Sequence, residues 1–156
     1  MKLNINTIDF KGSIVDGPGV RTVLFTQGCE RRCKGCHNPT TWDKNKGEWI
    51  EIKEIIKQLR EKCKNRKLTI SGGEPLLQVK GILTLINNLP DFNIALYTGY
   101  NLEEVPKEIL NHLDYIKVGS YEEDKRTTTT PYIGSTNQKF INLKNKNYND
   151  KKTKVQ

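Results

Sequence analysis

The sequence predicts an α/β fold, namely a partial, open (β/α) barrel with parallel strands in a single domain. Short apolar segments rich in β-branched residues alternate with helical segments of about ten residues, which is typical of βα units. Runs rich in cysteine or glycine directly follow the predicted strands, where open parallel sheets bind ligands. The length of 156 residues excludes a closed barrel of eight units, since such barrels need at least ~200 residues.

The first predicted elements surround two loops of unusual composition. A buried strand over residues 22–27, rich in β-branched and aromatic side chains, runs directly into a loop with three cysteines. A helix is predicted from Ile50 to about Cys63, because its apolar residues recur on one face. The strand predicted over residues 68–71 stops at a pair of glycines.

The second half of the chain repeats the same alternation. A helix is predicted over residues 79–89, followed by a strand over residues 93–97 that ends at Thr98-Gly99. A third helix is predicted over residues 102–113, with Pro106 either near its first turn or splitting it. The fourth strand covers residues 115–118, and four such units predict a parallel sheet that remains open.

The net charge of +8 raises the possibility of a nucleic-acid partner, but its distribution argues against one. Residues 139–156 contain six lysines and one aspartate, so this end carries +5 of the total. The remainder has an ordinary charge balance, and we expect no nucleic-acid partner. We expect one domain over residues 1–143 and a lysine-rich, disordered tail over residues 144–156.

No feature of the sequence indicates a membrane or a secretory route. No apolar run approaches the ~20 residues of a membrane span, and the first residues lack the apolar core of a signal peptide. We therefore expect a cytoplasmic protein with no membrane partner. In that compartment, clustered cysteines bind metal or take part in redox chemistry more often than they form disulfides.

The three clustered cysteines, Cys29, Cys33 and Cys36, have the spacing C-x3-C-x2-C and indicate a metal centre. A four-iron cluster usually takes four thiolates, so three would leave one iron open to a small molecule. The alternative is a structural zinc site completed by His37 or by a remote ligand. Cys63 stands apart at the end of a helix, and we expect it to be a small apolar residue.

The run Gly72-Gly73-Glu74-Pro75 follows a predicted strand directly. Paired glycines allow a close approach of the backbone to a ligand, and the Glu74 carboxylate can accept hydrogen bonds from a ligand ammonium group. By itself such a run is also compatible with a plain turn between a strand and a helix. Its place beside the cysteine loop favours a ligand-binding role.

These motifs resemble those of a known superfamily. The cysteine motif together with residues 72–75 resembles the radical S-adenosylmethionine superfamily. Residues 15–21, Val-Asp-Gly-Pro-Gly-Val-Arg, and residues 36–39, Cys-His-Asn-Pro, resemble glycyl-radical-enzyme activases. Residues 97–100 and 134–140 are similar to the activating proteins of the anaerobic ribonucleotide reductase. Val118 stands where many such activators have aspartate before a glycine, so the chain departs from the pattern in the loop after the fourth strand.

The resemblance, which covers roughly residues 5–143, implies a cofactor set and a reaction. It implies that the three clustered cysteines hold a [4Fe-4S] cluster and that S-adenosylmethionine binds its open iron. The implied cofactor-binding residues lie in two short runs: Gly35, Cys36, His37, Gly72, Gly73 and Glu74. The implied activity is cleavage of S-adenosylmethionine to a 5′-deoxyadenosyl radical, which produces a glycyl radical on the anaerobic ribonucleoside-triphosphate reductase.

The implied electron donor is a flavodoxin-type protein, and we expect residues 135–140 to help dock the reductase. Two other readings remain open on the sequence alone. One is an activase of another glycyl-radical enzyme, of the pyruvate formate-lyase type. The other is a small, basic, zinc-binding module that binds nucleic acid, for which the net charge is the main argument.

Overall fold

One seven-stranded sheet forms the framework of the protein in the computed structural model, which describes residues 1–144. In chain order the strands are β1 (Lys2–Ser13), β2 (Arg21–Thr26), β3 (Glu48–Glu51), β4 (Lys67–Gly72), β5 (Asn93–Tyr97), β6 (Tyr115–Val118) and β7 (Lys139–Asn142). Their order across the sheet is β3-β1-β2-β4-β5-β6-β7. The sheet has two edges, β3 and β7, which confirms the predicted single-domain, open, partial barrel.

The four strands predicted from the sequence form the parallel centre of this sheet. Strands β2, β4, β5 and β6 pair in parallel, with Leu24 opposite Ile70 and Leu96 opposite Ile116. Strands β1, β3 and β7 join the centre through antiparallel pairs. The carboxyl ends of four consecutive parallel strands therefore meet at one end of the barrel, as the prediction requires.

The two faces of the sheet have different chemistry. Leu24, Ile70, Leu96 and Ile116 are fully buried on the face covered by the helices α1 (Ile52–Lys62), α2 (Val79–Asn87) and α3 (Lys107–Leu110). Successive residues of a strand point to opposite faces, so their neighbours form the concave inner face. On that face, Ser71, Tyr97 and Lys117 line the site, and Arg21 and Thr69 form a buried hydrogen bond below it.

Some predicted boundaries were wrong, and each error has a physical reason. Helix α1 begins at Ile52 rather than Ile50, because residues 50–51 pair with β1 as part of β3. The third helix is not continuous over residues 102–113; a 3₁₀ turn covers Leu102–Glu104, and α3 covers only Lys107–Leu110. Proline lacks an N–H and keeps the preceding residue extended, so Pro106 separates the two pieces.

The remaining expectations concern Cys63, the tail and the membrane. Cys63 is 2% exposed and packs in the apolar core at the end of α1, as expected. The predicted tail, apart from Lys144, lies outside the described residues. Within residues 1–144, no helix combines the length and the apolar character that crossing a membrane would require.

Candidate active site

The carboxyl ends of the parallel strands surround a cavity of about 660 Å³. Its lining comes from the loops that follow β2, β4, β5 and β6, and from the segments before β2 and β7. Seven of the eight residues predicted for the site line it, namely Cys29, Cys33, Cys36, His37, Gly72, Gly73 and Glu74. The structure thus brings the two predicted motifs together, although they are separated by more than thirty residues of chain.

Gly35 is the predicted site residue that does not line this cavity. It has a positive φ of 75°, and a Cβ at this position would overlap the Glu123 carboxylate. The neighbouring His37 does line the cavity, and its ring centroid lies 5.4 Å from that of Tyr121. Glycine at position 35 therefore lets the cysteine loop turn tightly beside the loop after β6.

Backbone hydrogen bonds join the cysteine loop to the glycine run. The Glu74 N–H donates to the Gly28 carbonyl at 2.8 Å, and the Gly73 N–H donates to the Thr26 carbonyl at 3.1 Å. A Cβ on residue 73 would overlap the Gly28 carbonyl, so only glycine allows this approach. Cys29 is further fixed by its N–H, which donates to the Trp42 carbonyl at 3.0 Å.

The three clustered cysteines are free thiols and are partly exposed. The Cys36 N–H donates to the Cys33 carbonyl at 3.0 Å, and the Asn38 N–H donates to the Cys36 sulfur at 3.4 Å. In residues 1–144, no three His, Cys, Asp or Glu side chains form a group arranged to hold a metal ion. Soft thiol donors from one loop, facing one cavity, suit a multinuclear iron–sulfur cluster, whose ligands bind separate irons.

Glu74 is 2% exposed, and its carboxylate joins two strand ends. One oxygen accepts from the Leu76 N–H at 3.0 Å and from the Thr98 hydroxyl at 2.7 Å. The other accepts from the Gly99 N–H at 2.7 Å. A carboxylate offers about four acceptor positions, so most of its capacity is used within the protein and about one position remains for a ligand.

Arg31 closes the cysteine loop against the loops after β5 and β6. Its guanidinium donates to the Ser120 hydroxyl at 2.7 Å and lies 4.5 Å from the centroid of the Tyr100 ring. A Cβ on Gly99 would meet the Arg31 side chain at 2.7 Å, so glycine makes room for it. Because Arg31 also lines the cavity, it fixes one wall of the site.

Two further polar residues, Tyr97 and Lys117, line the cavity from adjacent strands. The Lys117 ammonium lies 4.9 Å from the centroid of the Tyr97 ring, a cation–π distance. Burial lowers the pKa of Lys117, while the nearby groups of Glu74, Asp16, Cys36 and Cys33 act in the opposite direction. The Tyr97 hydroxyl is buried without a hydrogen-bond partner among the described residues, and burial raises its pKa.

The opposite end of the barrel interior is closed by Arg21, which is fully buried. Its guanidinium donates to the Thr69 hydroxyl at 2.8 Å and to the carbonyls of Pro18, Leu68 and Asn93, each at 2.9 Å. Burial lowers the pKa of Arg21. Arg21, two residues after the Asp-Gly-Pro-Gly run, therefore lies below the cavity, while residues 14–16 line it.

Residues 134–140 hold β7 against the end of β6. The Gln138 side-chain oxygen accepts from the Gly134 and Ser135 N–H groups, and its amide nitrogen donates to the Gly119 carbonyl at 3.0 Å. Gln138 and Ser135 are buried. These contacts give Ser135 and Gln138 a structural role, while Thr136 and Lys139 of the same segment are exposed. The docking of a partner by residues 135–140 stays a prediction.

Sequence analysis did not single out Lys117, Tyr97 or Arg31 as site residues. A signal was present for Lys117, because a lysine within an otherwise apolar buried strand must point to an inner, polar face. No comparable signal identifies Arg31, whose contacts are with residues 100 and 120. Those contacts depend on the three-dimensional meeting of loops that the sequence keeps apart.

A family model described as "4Fe-4S single cluster domain" matches residues 15–141. The chain is 33% identical over 138 residues to the anaerobic ribonucleoside-triphosphate reductase-activating protein of Vibrio cholerae, covering 80% of this chain and 89% of that protein. The protein of the same name from Enterobacteria phage T4 is 34% identical over 136 residues, which cover 81% and 86%. The Escherichia coli K12 protein of that name is 34% identical over 144 residues, which cover 84% and 94%.

Among solved structures, the chain is similar to QueE from Escherichia coli, with a TM-score of 0.56 and 18% sequence identity. The similarity covers 74% of this chain and 69% of that one. At this level of identity the likeness concerns the fold, and it agrees with the partial barrel described above.

Proposed function

The chain belongs to the family of anaerobic ribonucleoside-triphosphate reductase-activating proteins, and we propose on that premise that it generates the glycyl radical of such a reductase. The match to a 4Fe-4S single cluster domain over residues 15–141 supports an iron–sulfur enzyme. The proposed substrates are S-adenosylmethionine, one electron and a glycine residue of the partner reductase.

The observation that carries this proposal is the junction between the cysteine loop and the glycine run. The hydrogen bond from the Glu74 N–H to the Gly28 carbonyl, at 2.8 Å, fixes one motif directly against the other. A cluster on the cysteines and a ligand on the glycine run would therefore be neighbours in one cavity of about 660 Å³. That arrangement suits chemistry on a ligand bound directly to the cluster.

The residues of this chain would divide the work as follows. Cys29, Cys33 and Cys36 would hold three irons of the cluster and leave the fourth iron to S-adenosylmethionine. The loop from Gly35 to His37 and the run from Gly72 to Glu74 would position its methionine part. The absence of a side chain at Gly73 lets the glycine run pack directly against the Gly28 and Thr41 carbonyls, which keeps the two runs side by side at the cavity.

The chemistry that a reduced cluster would supply at these cysteines is one electron to S-adenosylmethionine, whose cleavage to methionine and a 5′-deoxyadenosyl radical would allow removal of a hydrogen atom from the partner's glycine. The protein contributes orientation and exclusion of water. Arg31, Glu74 and the Gln138 contacts hold the surrounding loops together, so that the reacting groups meet in a fixed geometry.

The proposed partners are the glycyl-radical subunit of an anaerobic ribonucleoside-triphosphate reductase and a flavodoxin-type electron donor. We include neither a nucleic acid nor a membrane among them. The proposed compartment is the cytoplasm, where the three free thiols would stay reduced. The open mouth of the cavity suits a partner that inserts a loop of its own chain.

The test is anoxic reconstitution with iron and sulfide, followed by dithionite and S-adenosylmethionine, with 5′-deoxyadenosine measured by chromatography. We expect 5′-deoxyadenosine from the reconstituted protein and none from Cys33→Ala. Addition of an anaerobic ribonucleoside-triphosphate reductase should then give the electron paramagnetic resonance doublet of a glycyl radical. A brown protein that binds S-adenosylmethionine but never cleaves it would contradict the proposal.

A parallel reaction with pyruvate formate-lyase in place of the reductase tests the choice of partner. We expect 5′-deoxyadenosine in both mixtures, because dithionite supplies the electron without a partner. The glycyl radical should appear only with the reductase. A glycyl radical formed only on pyruvate formate-lyase would keep the chemistry and overturn the proposed partner.

A further inference from the structure

The excess positive charge of residues 1–138 is concentrated beside the cysteine loop. The segment 30–46 has five basic and two acidic residues, so it carries +3. In the rest of residues 1–138, basic and acidic residues are equal in number, at 15 each. Arg31 lines the cavity. The other four basic residues of the segment are all exposed and form what we call the basic face: Arg32, Lys34, Lys44 and Lys46.

The two parts of the basic face border the same loop. The Arg32 guanidinium lies 5.8 Å from the centroid of the Trp42 ring, and the Trp42 carbonyl accepts from the Cys29 N–H at 3.0 Å. Lys44 lies against Gly28, since a Cβ on that glycine would be 3.5 Å from the Lys44 Cβ. Basic residues from two segments of the chain therefore surround the start of the cysteine loop.

Buried amides fix the backbone that carries the two lysines of the second segment. The Asn4 side chain, 2% exposed, donates to the carbonyls of Lys44 and Lys46 at 3.1 and 3.0 Å. The Gln27 side chain donates to the Asp43 carbonyl at 2.8 Å. Because this backbone is already ordered, placing the two charges against a partner costs less conformational entropy.

The chain itself makes no use of these charges. Among residues 1–144, no carboxylate lies within ion-pair distance of the four cations of the basic face. None of the four lines the cavity, whereas Cys33, which stands between two of them in the chain, does. The basic face is therefore available to a partner that approaches the cysteine loop from outside the cavity.

We infer that the basic face is the docking surface of an acidic one-electron donor of the flavodoxin type. This inference rests on the proposed function, in which S-adenosylmethionine and the partner's glycine occupy the cavity, so that the electron has to arrive from outside it. The flavin hydroquinone of the donor would lose one electron and the cluster would gain it, with no bond formed or broken between the two proteins. Complementary charge suits such an encounter, because electron-transfer interfaces are small and are guided by electrostatic attraction.

The test measures docking and electron delivery separately, with a bacterial flavodoxin and the cluster-loaded chain under anoxic conditions. Docking is followed by the fluorescence anisotropy of dye-labelled flavodoxin at low and at high salt. Delivery is the rate of 5′-deoxyadenosine formation, driven either by subsaturating reduced flavodoxin or by titanium(III) citrate, which needs no docking surface.

The test variant combines Lys44→Glu with Lys46→Glu, because both residues lie outside the cysteine motif. The matched control combines Lys64→Glu with Lys107→Glu, which makes the same change of charge at two exposed lysines, one between α1 and β4 and one on α3. If charge reversal prevents folding, Lys44→Gln combined with Lys46→Gln takes the place of the test variant.

We expect the test variant to bind flavodoxin about 10-fold more weakly and to receive its electron about 10-fold more slowly, within the range of electrostatic steering. The rate with titanium(III) citrate, and both properties of the control, should stay within about 2-fold of the wild type. Binding to the wild type should weaken as salt rises, because the Debye length falls from about 30 Å at 0.01 M to about 8 Å at 0.15 M.

Unchanged docking in the test variant, or an equal loss in the control, would overturn the inference. An equal loss with both reductants would also overturn it, since the lysines would then support the cysteine loop itself. A single-stranded oligonucleotide that displaced flavodoxin and bound more tightly would assign the basic face to nucleic acid instead. If the wild type formed no 5′-deoxyadenosine with either reductant, the proposed function would fail, whereas the docking measurement would still decide the role of the basic face.

Discussion

The basic residues at the two ends of the barrel interior differ in how many of their hydrogen bonds the chain itself supplies. At the amino end, Arg21 is fully buried and makes four hydrogen bonds to a hydroxyl and three carbonyls. At the carboxyl end, Lys117 faces the cavity with only an aromatic ring beneath its ammonium. Polar side chains whose hydrogen bonds are made within the chain hold the fold together. Polar side chains that face the cavity without such partners indicate where a ligand would bind.

The largest expected effect concerns the cysteines, because three of them line the cavity and the fourth lies in the apolar core. Cys29→Ala, Cys33→Ala or Cys36→Ala should each reduce the iron retained after reconstitution to background, because a cluster cannot be held by two thiolates. Cys63→Ala is the matched control, since Cys63 is 2% exposed in the core. Iron and sulfide per chain measure the effect. Loss of iron from Cys63→Ala would mean that the ligand set is wrong.

The same substitution at the two basic residues should affect stability differently. Arg21→Met removes the hydrogen bonds to the carbonyls of Leu68 and Asn93, one buried and one partly buried, and we expect the free energy of unfolding to fall by about 3 kcal/mol. Lys117→Met removes no hydrogen bond, so its free energy of unfolding should stay within about 0.5 kcal/mol of the wild type. Urea unfolding under anoxic conditions measures the free energy of unfolding of both variants. An equal loss of stability in the two variants would contradict the proposed difference between the two ends.

Glu74 tests whether one residue can serve both the framework and the ligand. Glu74→Ala removes the acceptor of the Leu76 and Gly99 N–H groups and of the Thr98 hydroxyl. We expect a loss of about 2 kcal/mol in stability together with weaker binding of S-adenosylmethionine. Urea unfolding and equilibrium dialysis measure the two effects. Weaker binding at unchanged stability would assign Glu74 to the ligand alone.

The Tyr97 hydroxyl offers a test in the direction of greater stability. It is buried without a hydrogen-bond partner in the described part of the chain. Tyr97→Phe keeps the ring under Lys117 and removes the unsatisfied group, so we expect a gain of up to about 1 kcal/mol in the free energy of unfolding. Tyr132→Phe, at a partly exposed ring nearby, is the control. A clear loss of stability in Tyr97→Phe would show that a water satisfies the hydroxyl.

Arg31 should give the smallest effect, because its contacts are solvent-exposed. Arg31→Ala removes the hydrogen bond to Ser120 and the stacking on Tyr100, and it should loosen the cysteine loop. We expect the cluster-free thiols to react with iodoacetamide about 2- to 3-fold faster. Arg32→Ala is the matched control, since its guanidinium lies farther from an aromatic ring, at 5.8 Å from Trp42. Equal rates in both variants would remove Arg31 from the loop framework.

The parallel centre of the sheet could be predicted because each of its strands is a short apolar run that ends in a glycine or cysteine motif. The antiparallel strands could not, since β3 and β7 are only four residues long and owe their structure to pairing with distant partners. β1 was missed although its first residues, from Lys2 to Ile5, alternate between polar and apolar residue types. Pairing is a tertiary effect, and local propensity carries little information about it.

The candidate site likewise has a part that local sequence predicts and a part that depends on tertiary contacts. The meeting of the two motifs at one cavity could be predicted because each motif directly follows a parallel strand. Lys117 and Arg31 act through neighbours that the fold supplies, namely the Tyr97 ring and the Ser120 hydroxyl. The docking role expected for residues 135–140 stays a prediction, and the structure adds that the Gln138 amide holds three backbone groups. Whether a polar side chain is already satisfied becomes visible only in three dimensions.

The hydrogen bond from the Glu74 N–H to the Gly28 carbonyl has a consequence for the life of the protein in the cell. It anchors the base of the cysteine loop to the sheet without any help from a metal. In small zinc domains, by contrast, the metal supplies the free energy of folding, and its removal unfolds the chain. A chain with its own apolar core does not depend on a bound metal for the free energy of folding, so we expect this loop to keep its place when the site is empty.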